Sequence, residues 1–173
     1  LTPQQAKEAE RYLDQLYFEH DIHARGDFYT VTSLYFETPF LDDYQDKEGA
    51  LLQRQKLRGR IYAPHFTDYT DDVWLEVKKK YDMRISKERT RINHDVWRSI
   101  VAGRSQATAE YDAASIENPD AYALFRRMQL EHNYQPKVVV RYKRKPYLTR
   151  FLSTIRITLD KNIEAARAER GVE

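Results

Sequence analysis

The stretch KLRGRIY, residues 56 to 62, alternates Lys56, Arg58, Arg60 and Tyr62 with Leu57, Gly59 and Ile61. A period of two belongs to a strand, so the first set shares one face and the second set the other. Side chains two apart stand roughly 6 to 7 Å apart along a strand, which lines up three cations that repel one another. Such a row is tolerable on a wet face, where water and salt screen it. On a face that curls inward it needs an anion beside it.

Composition bounds the fold around this strand. At 173 residues and 41% hydrophobic the chain fits one globular domain, spanning 1 to 173. The net charge is only +2, so a strongly basic surface has to be local and balanced elsewhere. The absence of cysteine excludes disulfides, thiolate metal sites and a cysteine nucleophile, and fits a reducing, cytoplasmic compartment. No apolar run is long enough for a membrane span, and no signal peptide is present. The chain opens on Leu1 rather than methionine, which reads as a fragment or a processed or trimmed chain.

Residues 1 to 23 read as an amphipathic helix. Thr2, Pro3 and Gln5 form a capping-box start, and Ala6, Ala9, Leu13, Leu16 and Tyr17 fall near one face. His20 and His23 could pair on a metal near its end, but a solvated helix end is the simpler reading. From Phe28 to Thr38 the period switches to two, with Ser33, Tyr35 and Glu37 on one face and Leu34 and Phe36 on the other. Leu41 to Gln53 reads as a loop or short helical turn, and residues 63 to 72 as a turn-rich connection. VWLEVKKK then puts Trp74, Glu76, Lys78 and Lys80 on one face against Val73, Leu75 and Val77. The strand over 84 to 92 gives Ile85, Lys87, Arg89 and Arg91, completing an antiparallel hairpin.

Asn93 to Gly103 is a short helix, and Arg104 to Glu117 a polar stretch, mostly loop. Asn118 and Pro119 start a second helix, with Leu124, Phe125 and Met128 inward and Arg126 and Arg127 outward. Strands over 137 to 145 and 153 to 160 follow, six in all, and then a charged tail from Lys161. Collected together, the faces opposite the aliphatic sets carry Lys56, Arg58, Arg60, Lys78, Lys80, Lys87, Arg89, Arg91 and Arg156 against Glu37, Glu76 and Asp160. A merely solvated face would mix signs evenly, as the whole chain does. The excess over four strands points to a polyanion-binding surface, and Tyr142 and Arg144 match that face. The strands curling with this face inward would make the inside a site rather than a core, with helices covering the aliphatic outside.

The chemistry is narrowed by what is missing. Five unclustered glycines leave no P-loop and no dinucleotide fingerprint, so side chains have to hold any phosphates. Arginine forks and lysine point charges suit phosphate oxygens. No nucleophile elbow, zinc motif or Ser/His/Asp arrangement appears.

Taken in order, YTVTSLYFE at 29 to 37, KLRGRIY, LEVK at 75 to 78, SKERTR at 86 to 91, YKR at 142 to 144 and IRITLD at 155 to 160 resemble the VTC domain. This is the polyphosphate polymerase domain, a branch of the triphosphate tunnel metalloenzymes. The resemblance implies an α+β fold, an antiparallel β-barrel tunnel of eight strands flanked by helices. It also implies transfer of the ATP γ-phosphate to polyphosphate with a divalent metal, Mn2+ or Mg2+. Arg58, Arg60, Lys78, Lys87, Arg89, Arg144 and Arg156 match its catalytic cations. Lys56, Ser33, Tyr35, Tyr142, Lys80 and Arg91 are expected to help bind substrate, and Glu76 is the candidate metal ligand within the chain. Glu37 stands where bacterial relatives often have Asp. The family's first strand, with its own lysine, is expected before residue 1. Its last strands, with the principal metal glutamate, are expected after residue 173.

The expected activity is therefore an ATP-polyphosphate phosphotransferase. The partners are ATP and polyphosphate or triphosphate, and a membrane-protein partner could hold the cytoplasmic domain at a membrane. A tunnel triphosphatase, with water as acceptor, needs the same electrostatics. A third reading is a non-catalytic binder of polyphosphate or nucleic acid, with Tyr35, Tyr62, Trp74 and Tyr142 as candidate stacking rings. Nucleic acid is not the expected partner.

Overall fold

The computed structural model describes residues 1–15, 18–20, 28–66, 72–103, 115–149 and 155–168. The elements in chain order are α1 (Pro3–Gln15), β1 (Phe18–His20), β2 (Tyr29–Glu37), α2 (Asp42–Glu48), β3 (Gln53–Ile61), β4 (Val73–Tyr81), β5 (Arg84–Ile92), α3 (His94–Val101), α4 (Pro119–Glu131), β6 (Gln135–Thr149) and β7 (Arg156–Arg167). The strands follow the order β1-β6-β2-β3-β4-β5, with β7 also pairing β6. This order has two ends, so the expected closure into a barrel is not formed among the described residues. At one end β5 pairs with β4 and, among the described residues, makes one further bridge, Ile92↔Ile116.

The chain forms two compact units. The larger comprises 32–140 and 165–173, and its centre is the antiparallel run β2-β3-β4-β5. The alternation read in the sequence sends Leu34, Phe36, Leu57, Ile61, Val73, Leu75 and Val77 to one face, where all are buried. α3 and α4 supply Val96, Trp97, Ile100, Phe125 and Met128 to the same core. Both helices start where their capping residues predict: Asn93 accepts from the Val96 N–H at 3.0 Å and Asn118 from Ala121 at 3.2 Å. Gly59 is required by this packing, because a Cβ there would run into the indole of Trp97. That indole also stacks on Phe66, with centroids 4.9 Å apart.

One expected orientation is reversed. Arg126 is buried, donates to Gln129 Oε1, and Gln129 in turn donates to the Ile100 carbonyl at 3.0 Å. This polar chain ties α4 to α3 and satisfies groups that would otherwise be costly inside.

The second unit comprises 1–31 and 141–164. The capping box at its start is formed reciprocally, Thr2 N–H to Gln5 Oε1 at 2.9 Å and Gln5 N–H to Thr2 Oγ1 at 3.2 Å. The helix stops at Gln15 rather than continuing to 23, and β1 pairs antiparallel with β6 through Phe18↔Thr149 to His20↔Tyr147. β1 is thus a seventh strand. His20 lies on it, while His23 falls outside the described residues. Lys145, also buried, reaches Glu10 of α1 at 2.6 Å. The strand expected at 153 to 160 runs from Arg156 to Arg167, so most of the charged tail is β7; residues 150–154 and 169–173 lie outside the described set, as do 16–17, 21–27, 67–71 and 104–114.

Candidate functional site

Cross-strand register brings the basic side chains of the larger unit together. Residues directly opposite in an antiparallel pair share a face, so the pairings give rows across the sheet. One row is Tyr35, Arg58, Glu76 and Arg89; the next is Lys56, Lys78 and Lys87; on the other side lies Ser33, Arg60, Trp74 and Arg91. Every one of these residues was expected on this face. Lys80 joins it too, opposite Arg54, a cation outside the 56-to-62 reading because the strand begins three residues earlier, at Gln53.

Glu76 is the electrostatic centre. It is only 3% exposed and takes the Arg58 guanidinium on Oε2 and the Lys87 ammonium on Oε1, each at 2.5 Å. Burial pushes its pKa up, but Arg58, Lys87 and Arg60 outweigh that and hold the carboxyl below its usual value. Arg58 also donates to the Tyr35 hydroxyl at 2.9 Å. Burial would lower the Arg58 pKa, yet the Tyr35 and Glu76 oxygens raise it overall. The guanidinium is thereby fixed in direction.

Most of the remaining cations have no such neutralisation. Among the described residues Lys56, Lys78, Lys80, Arg60 and Arg89 make no ion pair. Arg60 is 8% exposed and donates from Nε to Ser33 Oγ at 3.3 Å. The Lys56, Lys78 and Lys87 row places like charges directly opposite one another, which is destabilising in the free protein. Arg89 lies over the Trp74 ring, 4.8 Å from its centroid. Arg91, at the edge, pairs with Asp72 at 3.3 Å and Glu117 at 3.7 Å.

Glu37 does not offset this charge. Its carboxylate accepts from the backbone N–H groups of Thr38, Asp43 and Tyr44, and so serves the N-terminus of α2, where Leu41 offers no side-chain cap. Beside it Asp43, unremarked in the sequence, is buried and accepts from the Tyr134 hydroxyl at 2.7 Å. Burial, reinforced by Glu37 and Asp46, pushes its pKa up to about 7 against the opposing effects of Tyr134 and Lys56.

Tyr142, Arg144 and Arg156 stand in the other unit. There Arg144 grips Asp160 through two bonds of 2.7 Å and lies over the Tyr142 ring at 4.9 Å. The Asp160 hydrogen bonds raise its pKa. Arg156 opens β7 and is exposed.

For the divalent ion that the resemblance implies, Glu76 is the candidate ligand. Both carboxylate oxygens already face cations, and no group of three His, Asp or Glu side chains gathers elsewhere among the described residues. A resident divalent ion at Glu76 would have to displace Arg58 or Lys87, so the described residues of this face do not fit one.

Among the described residues no helix is long and apolar enough to cross a membrane. A family model, VTC domain, matches residues 1–172. No curated protein matches the chain.

Proposed function

The chain belongs to the VTC domain family, and from that premise we propose that its basic face binds the triphosphate of ATP and transfers the γ-phosphoryl group to polyphosphate. The observation that carries this reading is the row Lys56, Lys78 and Lys87 in register, of which only Lys87 has a carboxylate partner among the described residues, beside Arg60, which is buried and makes no ion pair among them. Such a surface is complementary to a linear chain of phosphates.

In the proposed step an oxygen of the terminal phosphate of the acceptor attacks the γ-phosphorus. The bond from that phosphorus to the bridging β–γ oxygen breaks, and ADP leaves with the bond's electron pair. Little covalent chemistry falls to the protein, which has to position the chains in line and stabilise charge on the phosphoryl oxygens. Arg58, held by Glu76 and Tyr35, supplies a fixed fork; Arg60, held by Ser33, supplies a second. The lysines supply mobile point charges that accommodate a sliding polymer. In this reading the face is one wall of the tunnel expected from the family.

The test is incubation with ATP and a polyphosphate primer in buffer containing Mn2+, with polymer and free phosphate measured separately. Polymer growth supports the proposal. Free phosphate alone makes water the acceptor and the protein a triphosphatase, and binding without turnover makes it a polyphosphate-binding module.

A further inference from the structure

A shallow groove of about 400 Å³ lies beside the basic face, lined by Trp74, Arg89, Glu117, Asn118 and Pro119. Resting on the reading of that face as a triphosphate site, we propose that this groove is the nucleobase subsite, with the Trp74 indole as the stacking platform.

Trp74 is a large aromatic ring placed among cations, where the strand's alternation would otherwise set another polar residue. Its neighbours across the sheet are Arg60 and Arg91, and it is partly exposed rather than buried in the core. The Arg89 guanidinium lies over the ring, an arrangement that holds the indole in place and leaves it polarised for a second flat group. Packing does not explain the ring, because the hydrophobic core lies on the other face of the sheet and does not include it.

Position along the strand gives the ligand a direction. Trp74 and Lys78 are four residues apart on β4, roughly 13 Å, with Arg58 and Glu76 in the row between them. A nucleoside triphosphate with its base on Trp74 would run past Arg60 and Arg58 and bring its γ-phosphate to the lysine row. Polyphosphate, having no base, would use the lysines and arginines alone. Stacking accepts any base and is stronger for larger rings, so the subsite would favour purine over pyrimidine nucleotides.

The test compares ATP with inorganic tripolyphosphate, which carries the same phosphates without the base, on wild type, Trp74→Phe and Trp74→Ala. Trp74→Ala should weaken ATP binding about tenfold or more while leaving tripolyphosphate affinity unchanged, with Trp74→Phe between. The chain has two tryptophans, and Trp97 is buried against Phe66. ATP should therefore quench the fluorescence of wild type and not that of Trp74→Phe, and tripolyphosphate should quench neither. Equal losses for both ligands, or none for either, would overturn the base subsite while the polyanion face stands. Wild type that binds neither ligand would overturn both.

Discussion

Arg58 and Glu76, cross-strand neighbours on β3 and β4, meet through an Nε to Oε2 hydrogen bond of 2.5 Å, and the same carboxylate holds Lys87 through its other oxygen. One buried anion thus orders two cations, Arg91 finds carboxylates at the edge, and Lys56, Lys78, Lys80, Arg60 and Arg89 make no ion pair among the described residues. The face has the anion it needs to fold and too few to be neutral.

Replacing that anion tests its structural part. Glu76→Gln should cost about 1 to 3 kcal/mol, a fall in Tm of roughly 3 to 10 °C. Water takes over part of the solvation of Arg58 and Lys87, which are 22% and 39% exposed, and this limits the loss. The pH dependence has a definite sign. The Glu76 pKa is depressed in the folded state, so its stabilisation is complete above the ordinary value of 4.5 and is lost as pH falls below it. Thermal melts across the acid range should show a shallower acid limb for Glu76→Gln than for wild type.

Asp43 has the opposite sign. Its folded pKa of about 7 lies above the ordinary 3.8, so the native state keeps a proton that the unfolded chain has lost. Stability from this site is complete below pH 3.8 and declines as pH rises to about 7. Asp43→Asn cannot ionise, and its carbonyl can still accept from Tyr134. Relative to wild type, its Tm should therefore rise progressively from acid to mildly alkaline buffer. A constant difference across that range would show that Asp43 does not titrate there.

Gly59→Ala places a methyl group into the Trp97 ring on the core face of β3. The ring is held by Phe66 and Phe36 and has little room to move. Denaturant unfolding should show a loss of about 1 to 3 kcal/mol, the usual cost of overpacking a core.

The sheet faces were legible because β3 and β4 alternate with every aliphatic residue on one side, although Val31 on β2 and Ile85 on β5 fall with the polar set. Asn93, Asn118 and Thr2 marked their helices for a local reason, since a cap bonds to a backbone within three residues. Pairing between distant residues was not legible. That Glu76 would bind Arg58 and Lys87 depends on register, and that Gly59 makes room for Trp97 depends on how α3 packs. β1 was missed because Leu16 and Tyr17 continue the helical pattern of Leu13. The second half of β7 was missed because residues 160–167 are exposed on both faces, which removes the alternation that marks a half-buried strand. Arg126 read as an outward cation: Gln129 is its neighbour one turn on, but their burial depends on Gln129 reaching the Ile100 carbonyl of α3.

The central claim is that this face binds linear phosphate, and calorimetric titration with tripolyphosphate tests it most directly. Arg60→Ala removes from the face a cation that makes no ion pair among the described residues, while Arg127→Ala removes an exposed one from α4. Loss of a charge-assisted contact is worth about 1.5 to 3 kcal/mol, or roughly ten- to a hundredfold in affinity. Arg60→Ala should show that loss with an unchanged or slightly higher melting temperature, because repulsion within the face is relieved, and Arg127→Ala should bind as wild type. Equal affinity in all three proteins, or an Arg60→Ala variant that melts several degrees lower and binds normally, would contradict the account.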